Sequence, residues 1–320
     1  MALAARSSSA FALARRLTSP SSSTPRRGRP VAVTRTATRS MGATIPDDPK
    51  FTIPDQPARF AQGKADNNSR MLTTDFFDGT LFKNKRVLVT GGNRGVGLAL
   101  VRELVACGAD TIVACRSSNE ELDGMKEVQV IVGCDVTDTA SIAAMAEQVT
   151  NPIDVLINNA GYFYEPVETL ETMNFEEELK MLDICAVGPL RVSAALVNAG
   201  KVAAPGGKIA MITSQGGSVA WRTVQNPTGN DYGHHMSKSA ANMGGVLLAQ
   251  ELASKGMMVQ MLHPGFNKTG MTAKYEHIWE VEGAVDPSMG AKRVLHEVSL
   301  MTPEHNGLFI NCEDGLQIPW

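Results

Sequence analysis

From Lys85 onward the chain alternates short apolar runs with stretches of helical spacing. Arg86-Val87-Leu88-Val89-Thr90 has the length and composition of a buried strand, Gly91 to Gly97 interrupts it, and Leu98 to Cys107 carries apolar residues at helical intervals. Further strands are predicted at Thr111–Val113, Val128–Val132, Ile153–Ile157, Lys208–Thr213, Val259–Leu262 and Gly307–Ile310. Helices are predicted after a Thr137-Asp138 cap through Val149, and over Phe175–Ala199, Ser237–Lys255 and Pro287–Leu300. Strands that are apolar on both faces and alternate with helices imply a parallel sheet covered on both sides. Right-handed crossovers then make it an α/β, doubly wound parallel sheet of six to seven strands in a single domain.

The N-terminal part does not share this pattern. Between Met1 and Pro46 there is no Asp or Glu, while Arg6, Arg15, Arg16, Arg26, Arg27, Arg29, Arg35 and Arg39 punctuate a Ser/Thr/Ala background. That composition, without an apolar secretory core, predicts an organelle transit peptide over residues 1–46. Serine richness and Met1-Ala2 favour a plastid (chloroplast). A basic amphipathic helix over Ala2–Arg16 would suit a mitochondrion, which stays the alternative. Residues 47–82 read as a linker or N-terminal extension rich in Pro, Asp, Asn and Gly, whose Phe76-Phe77 and Leu81-Phe82 would pad the core from outside.

A net charge of −3 gives no basic excess for nucleic acid, and no run approaches the roughly 18 uninterrupted apolar residues of a membrane span. The five cysteines, Cys107, Cys115, Cys134, Cys185 and Cys312, show no C-x-x-C pairing and read as reduced structural thiols. No Cys/His cluster has ligand spacing, so no metal site is expected.

The break after the first strand carries the candidate chemistry. Gly91, Gly95 and Gly97 stand between a strand and a helix, where glycine permits a tight turn and lets main-chain N–H groups and a helix N-terminus approach a pyrophosphate. Thr90-Gly91-Gly92-Asn93-Arg94-Gly95-Val96-Gly97 resembles the TGxxxGxG motif of the short-chain dehydrogenase/reductase family, and Asn158-Asn159-Ala160-Gly161 resembles its NNAG motif. The resemblance covers residues 85–320 and implies a Rossmann fold over 83–320 that binds NAD(P). It also implies that Asp135-Val136 lie at the adenine, and that Pro264, Gly265 and Thr269 line the nicotinamide carboxamide and pyrophosphate. The C-terminal Asp314-Gly315 and Pro319-Trp320 are similar to the endings of the C-factor and sniffer-type carbonyl reductases within that family.

NAD-preferring members place an acidic residue at the end of the second strand; this chain has Cys115-Arg116-Ser117 there, with Arg94 inside the glycine turn. Two guanidiniums suit a 2′-phosphate, so NADP(H) is the expected cofactor.

The resemblance further assigns a catalytic Ser, Tyr and Lys with an Asn on the preceding helix. Ser214 and Lys238 match, but His234 stands at the Tyr position and Cys185 at the Asn position. A neutral imidazole can donate one N–H, yet it reaches roughly 2 Å less far than a phenol, so a bridging water is expected. Tyr232 is expected to precede the helix on another azimuth. Cys185 reads as a small core residue. The leading expectation is a carbonyl/alcohol oxidoreductase using hydride transfer, with Ser214 binding oxygen, His234 as acid and Lys238 on the ribose. The alternative is a catalytically silent NADP(H)-binding member acting as a redox sensor or assembly subunit. Tyr162, Phe163, Tyr164, Trp221, Phe266 and Trp279 surround the expected pocket and suit a bulky apolar small molecule or plain wall packing alike. Homo-oligomerisation through helices near 175–199 and 237–255 is implied by the resemblance only.

Overall fold

The computed structural model describes residues 48–320; the arginine-rich leader lies outside the described residues. Helices α1 (Gln56–Ala65) and α2 (Ser69–Leu72) precede the sheet. Then follow β1 (Arg86–Thr90), α3 (Gly95–Ala106), β2 (Asp110–Ala114), α4 (Glu120–Gly124), β3 (Val128–Ile131), α5 (Thr139–Gln148) and β4 (Val155–Asn158). The second half holds α6 (Phe175–Leu182), α7 (Gly188–Asn198), β5 (Lys208–Ile212), α8 (Tyr232–Ala253), β6 (Met258–His263), α9 (Trp279–Glu282), α10 (Pro287–Leu300) and β7 (Phe309–Asn311). A π-helical turn, Asp183–Val187, joins α6 to α7.

The sheet has seven strands in the order β3-β2-β1-β4-β5-β6-β7, and all its pairings are parallel. Alternation along β1 divides the core: Leu88 packs with Val192, Leu196 and Leu252 of α7 and α8, whereas Val87 and Val89 pack with Leu100, Leu104 and Val294 of α3 and α10. Because the order reverses between β1 and β4, a crevice opens at their C-terminal ends, where Gly91 and Asn159 follow.

Two expectations change. The segment read as a linker contains α1, which starts at an Asp55 cap and buries Gln56, Arg59 and Gly63 rather than an apolar stripe. Its neighbour Phe51 forms a β-bridge with Gln317 beside β7. Helix α8 begins at Tyr232, five residues before Ser237, because Asp231 in the left-handed region (φ 50°, ψ 47°) turns the chain into it. The continuous helix Phe175–Asn198 is long and apolar enough to cross a membrane by length and composition, although Asp183 and Arg191 keep it from being an uninterrupted apolar run. Its Met181, Val192 and Leu196 are fully buried, the last two in the core beneath the sheet.

Candidate active site

The crevice is built by the residues that the motifs singled out. Thr90 ends β1, and its hydroxyl accepts from the main-chain N–H of both Asn159 and Ala160 at 3.0 Å. The Asn159 amide donates to the carbonyls of Thr90 (3.1 Å) and Gly91 (3.2 Å), so the NNAG segment braces the glycine turn. Gly97 has no room for a side chain: a Cβ there would stand 2.2 Å from the Gly91 oxygen and 2.4 Å from Asn159 Nδ2. Gly95, at φ +55°, lies beneath Thr269, whose Cγ2 would be 3.6 Å from a Cβ at that position. Val96 follows in the first turn of α3, half-buried against the α3–α10 core. This cradle suits a pyrophosphate held by main-chain amides.

Asn93 donates to the Ser117 carbonyl at 2.9 Å, which ties the turn bearing Arg94 to the loop bearing Arg116. Both arginines are exposed. Asp135 spends one carboxylate oxygen on its own turn, accepting from Thr137 N (2.9 Å) and Oγ1 (2.8 Å). Arg116, Asp135 and Thr137 line one open depression of about 510 Å³ with Leu179, Lys180, Asp183 and Ile184. Val136 is buried beneath Gly188, where a Cβ would approach Val136 Cγ2 to 2.9 Å.

The residues expected to be catalytic gather where β5 ends and α8 begins. Ser214 Oγ accepts from Gly216 N at 3.0 Å. A methyl placed on Gly216 would lie 3.2 Å from Ser214 Oγ and 3.3 Å from His234 Cδ2, so the hydroxyl and the imidazole flank one point. Lys238 Nζ donates to the Ile212 carbonyl at 3.2 Å, one helical turn after His234. The His234 ring stacks on Phe163 with centroids 4.2 Å apart, and its Nδ1 is buried without a hydrogen-bond partner among the described residues. Burial, then the positive surroundings of Lys238, His235, Lys274 and Arg222, hold this imidazole well below the ordinary histidine range, hence neutral near pH 7. His235 is lowered too, first by burial and then by Arg222.

Cys185 sits inside the π-helical turn and is 2% exposed. Its thiol accepts from Tyr162 N (3.3 Å) and donates to Tyr162 O (3.2 Å), a packing role with no side-chain amide to offer a water chain. Tyr232 does not precede the helix but opens it, with its hydroxyl 3.7 Å from where a Cβ on Gly229 would stand. Trp221 is fully buried in the core, so it is not a pocket wall.

The sequence places residues 266–285 at the pocket but gives no sign of how Lys274 and Tyr275 fasten that segment over the centre. A helical turn over Gly270–Ile278 continues into α9, and neither contains a fully buried residue. Its Met271 Cε reaches within 3.9 Å of a Cβ position on Gly161. Lys274 pairs with the buried Asp231 at 3.0 Å, donates to Tyr164 O at 2.9 Å, and lies 3.6 Å from the Phe163 ring centroid. The Tyr275 hydroxyl also donates to Asp231, and burial with that bond pushes its pKa far up. Asp231 could have been suspected as a helix-start residue; Lys274 and Tyr275 lie in an unpatterned stretch.

A parallel sheet with a glycine cradle at its reversal point, and a Ser-His-Lys set at the adjoining strand ends, defines a nucleotide-binding α/β oxidoreductase class. The sequence model of the short chain dehydrogenase family matches residues 85–278. The chain belongs to the short-chain dehydrogenase family. It is 28% identical over 242 residues to a 1-hydroxy-2-glutathionyl-2-methyl-3-butene dehydrogenase of Rhodococcus sp. (strain AD45), covering 73% of this chain and 99% of that protein. The NADPH-bound carbonyl reductase from chicken fatty liver is similar at 26% identity and a TM-score of 0.67, covering 74% of this chain and all (100%) of that one. Carbonyl reductase Sniffer of D. melanogaster shares the fold, with a TM-score of 0.63 at 23% identity over 74% of this chain and 100% of that one.

Proposed function

We propose that this protein is an NADP(H)-dependent oxidoreductase that interconverts a carbonyl and an alcohol. The observation that carries the reading is the convergence of Ser214 Oγ and the His234 ring on one point, one helical turn from Lys238 and beside the glycine cradle. Thr90, Gly91, Asn93, Gly95 to Gly97 and Asn159 to Gly161 would hold the dinucleotide, with Asp135 and Val136 at the adenine and Pro264, Gly265 and Thr269 at the nicotinamide end. Arg94 and Arg116, with Ser117 beside them, would take the 2′-phosphate. NADPH, when bound, supplies the hydride.

Ser214 donates its hydroxyl hydrogen to the substrate oxygen. His234, neutral, either donates its N–H directly or orders a water that does so, since the ring is shorter than a phenol. Lys238 exchanges its bond to the Ile212 carbonyl for the ribose. The departure at His234, and the engagement of Cys185 by the Tyr162 backbone, favour a second reading: a silent NADP(H)-binding protein that senses redox state or serves an assembly.

One experiment separates the two. The purified protein is titrated with NADPH and NADH and then assayed with a panel of aldehydes, ketones and quinones, beside His234→Ala, His234→Tyr and Arg116→Ala. The oxidoreductase reading expects turnover that His234→Ala lowers, with a pH–rate limb that moves. Tight NADPH binding without turnover, and activity created by His234→Tyr, would establish the silent reading. Arg116→Ala should weaken NADPH about 10–100-fold while sparing NADH, since a charge-assisted phosphate contact is lost. Equal loss of both would refute the 2′-phosphate assignment. We further propose plastid import through residues 1–46, tested by the destination of a fluorescent fusion.

A further inference from the structure

Helix α1 precedes the span of the family resemblance, yet its polar face enters the centre of the molecule. Arg59 is 3% exposed. Its Nε and Nη2 donate to Glu313 Oε2 at 3.1 and 2.8 Å, Nη1 donates to the Ile53 carbonyl at 2.6 Å, and Nη2 also reaches Gln215 Oε1 at 2.9 Å. Gln56 closes the ring. Its Oε1 accepts from Gln215 Nε2 at 2.7 Å, and its Nε2 donates to Glu313 Oε1 at 3.1 Å and to the Glu282 carbonyl, at the end of α9, at 3.2 Å.

Gln215 follows Ser214 directly, so both ends of its amide are held by α1. The turn it opens contains Gly216 and Gly217, whose backbone freedom gives Ser214 little rigidity of its own. Arg222 Nη2 grips the same turn from outside through the Gln215 carbonyl, at 3.2 Å. Glu313 carries the connection across the cleft: Phe266 N donates to its Oε1 at 3.5 Å, and a Cβ on Gly265 (φ +84°) would fall 2.8 Å from Glu313 Cγ. Gly265 and Phe266 belong to the segment assigned above to the nicotinamide end. One arginine and one glutamine from outside the span of the family motifs therefore reach both walls of the proposed cleft.

We propose that Arg59 and Gln56 are positioning residues of the active centre: through Gln215 they fix the Ser214 turn, and through Glu313 they fix the Gly265–Phe266 main chain. This rests on the reading that Ser214 binds the substrate oxygen. A purely structural ion cluster makes a different demand, because it needs Arg59 and Glu313 but not Gln215.

Gln215→Leu is the discriminating variant, since it removes both amide contacts while leaving the Arg59–Glu313 pair intact. It is made in the full chain beside Arg59→Lys, which cannot span Glu313 and Gln215 together. Hydrogen exchange is followed at Gly216, Gly217 and Ser218, whose N–H groups are bonded to Ser214 Oγ, Ser214 O and Gln215 O. With Gln215→Leu those amides should exchange about tenfold faster, and kcat should fall about tenfold, with NADPH affinity and melting temperature unchanged. Arg59→Lys should show the same pattern together with some loss of stability. Unchanged exchange in Gln215→Leu would overturn the proposal, as would a rate loss matched by equal losses of NADPH affinity and stability. Should the wild type turn over no carbonyl at all, the oxidoreductase reading fails by itself, and the exchange comparison still decides whether α1 positions the turn.

Discussion

Replacing Asp231 with Asn tests what holds the covering segment down. Asp231 is 3% exposed and pairs with Lys274, itself largely buried, at 3.0 Å, while the Tyr275 hydroxyl donates to its other oxygen. Asparagine tolerates the left-handed backbone found there, so no strain is added. It keeps one carbonyl acceptor but loses the charge, leaving the Lys274 ammonium buried against Phe163 with a weakened partner. Breaking one side of a buried pair costs about 3–5 kcal/mol, and the retained acceptor reduces this to about 2–3 kcal/mol. Residues 270–282 bury no side chain fully, so little apolar area opposes their release. The cost should therefore be met by local opening, shifting that equilibrium about 30–150-fold while the global melting temperature moves only a few degrees. Amide exchange over 270–282, or tryptic cleavage after Lys274, reads this directly. If that segment stays protected while the whole protein melts much earlier, Asp231 supports α8 and not the cover, and the reasoning is refuted.

Gly97→Ala should abolish dinucleotide binding in an otherwise folded protein, because the added methyl meets the Gly91 oxygen and Asn159 at under 2.5 Å; fluorescence titration with NADPH checks it. Acid stability should fall in a defined window. Burial pushes His263 down to about 3, so only the unfolded chain takes its proton as pH drops below about 6.5, and stability declines by about 1.4 kcal/mol per pH unit until about pH 3. Burial alone would raise Glu313, but Arg59 and Arg293 bring it to about 2, so its contribution is full above about pH 4.5 and is lost as pH falls through 2. Denaturant melts at pH 7, 5.5 and 4 that show flat stability would contradict the His263 assignment, and flat stability between pH 4.5 and 2.5 would contradict that of Glu313. Exposed Phe175 and Leu179 on α6, with Met243 and Leu247 on α8, suit contact with a second copy. Leu179→Glu with Met243→Glu should lower the mass measured by light scattering, and an unchanged mass removes that face from any interface.

Where apolar pattern dictated structure, the sequence was a sufficient guide. Both ends of β1 and of α10 were legible, since Val87, Leu88 and Val89 and the face of Val294, Leu295 and Val298 bury apolar side chains at the periods of their elements. The start of α8 was not, because Gly233, His234 and His235 dilute its period and Asp231 makes no side-chain cap. Helix α1 escaped for a sharper reason. The side chains it buries are Gln56 and Arg59, and the partner that justifies burying an arginine, Glu313, lies 254 residues away. The positions proposed for catalysis, Ser214, His234 and Lys238, follow from motif order alone, whereas the Asp231–Lys274–Tyr275 latch depends on a long-range meeting that no local spacing records.

The pairing of Arg59 with Glu313, beside the bridge between Phe51 and Gln317, has a bearing on biosynthesis. Helix α1 leaves the ribosome 254 residues ahead of Glu313, so its guanidinium waits that long for this counter-ion. Its docking is therefore a closing event, one that waits for the sheet to assemble through β7 and then stitches α1 to the segment that follows that strand.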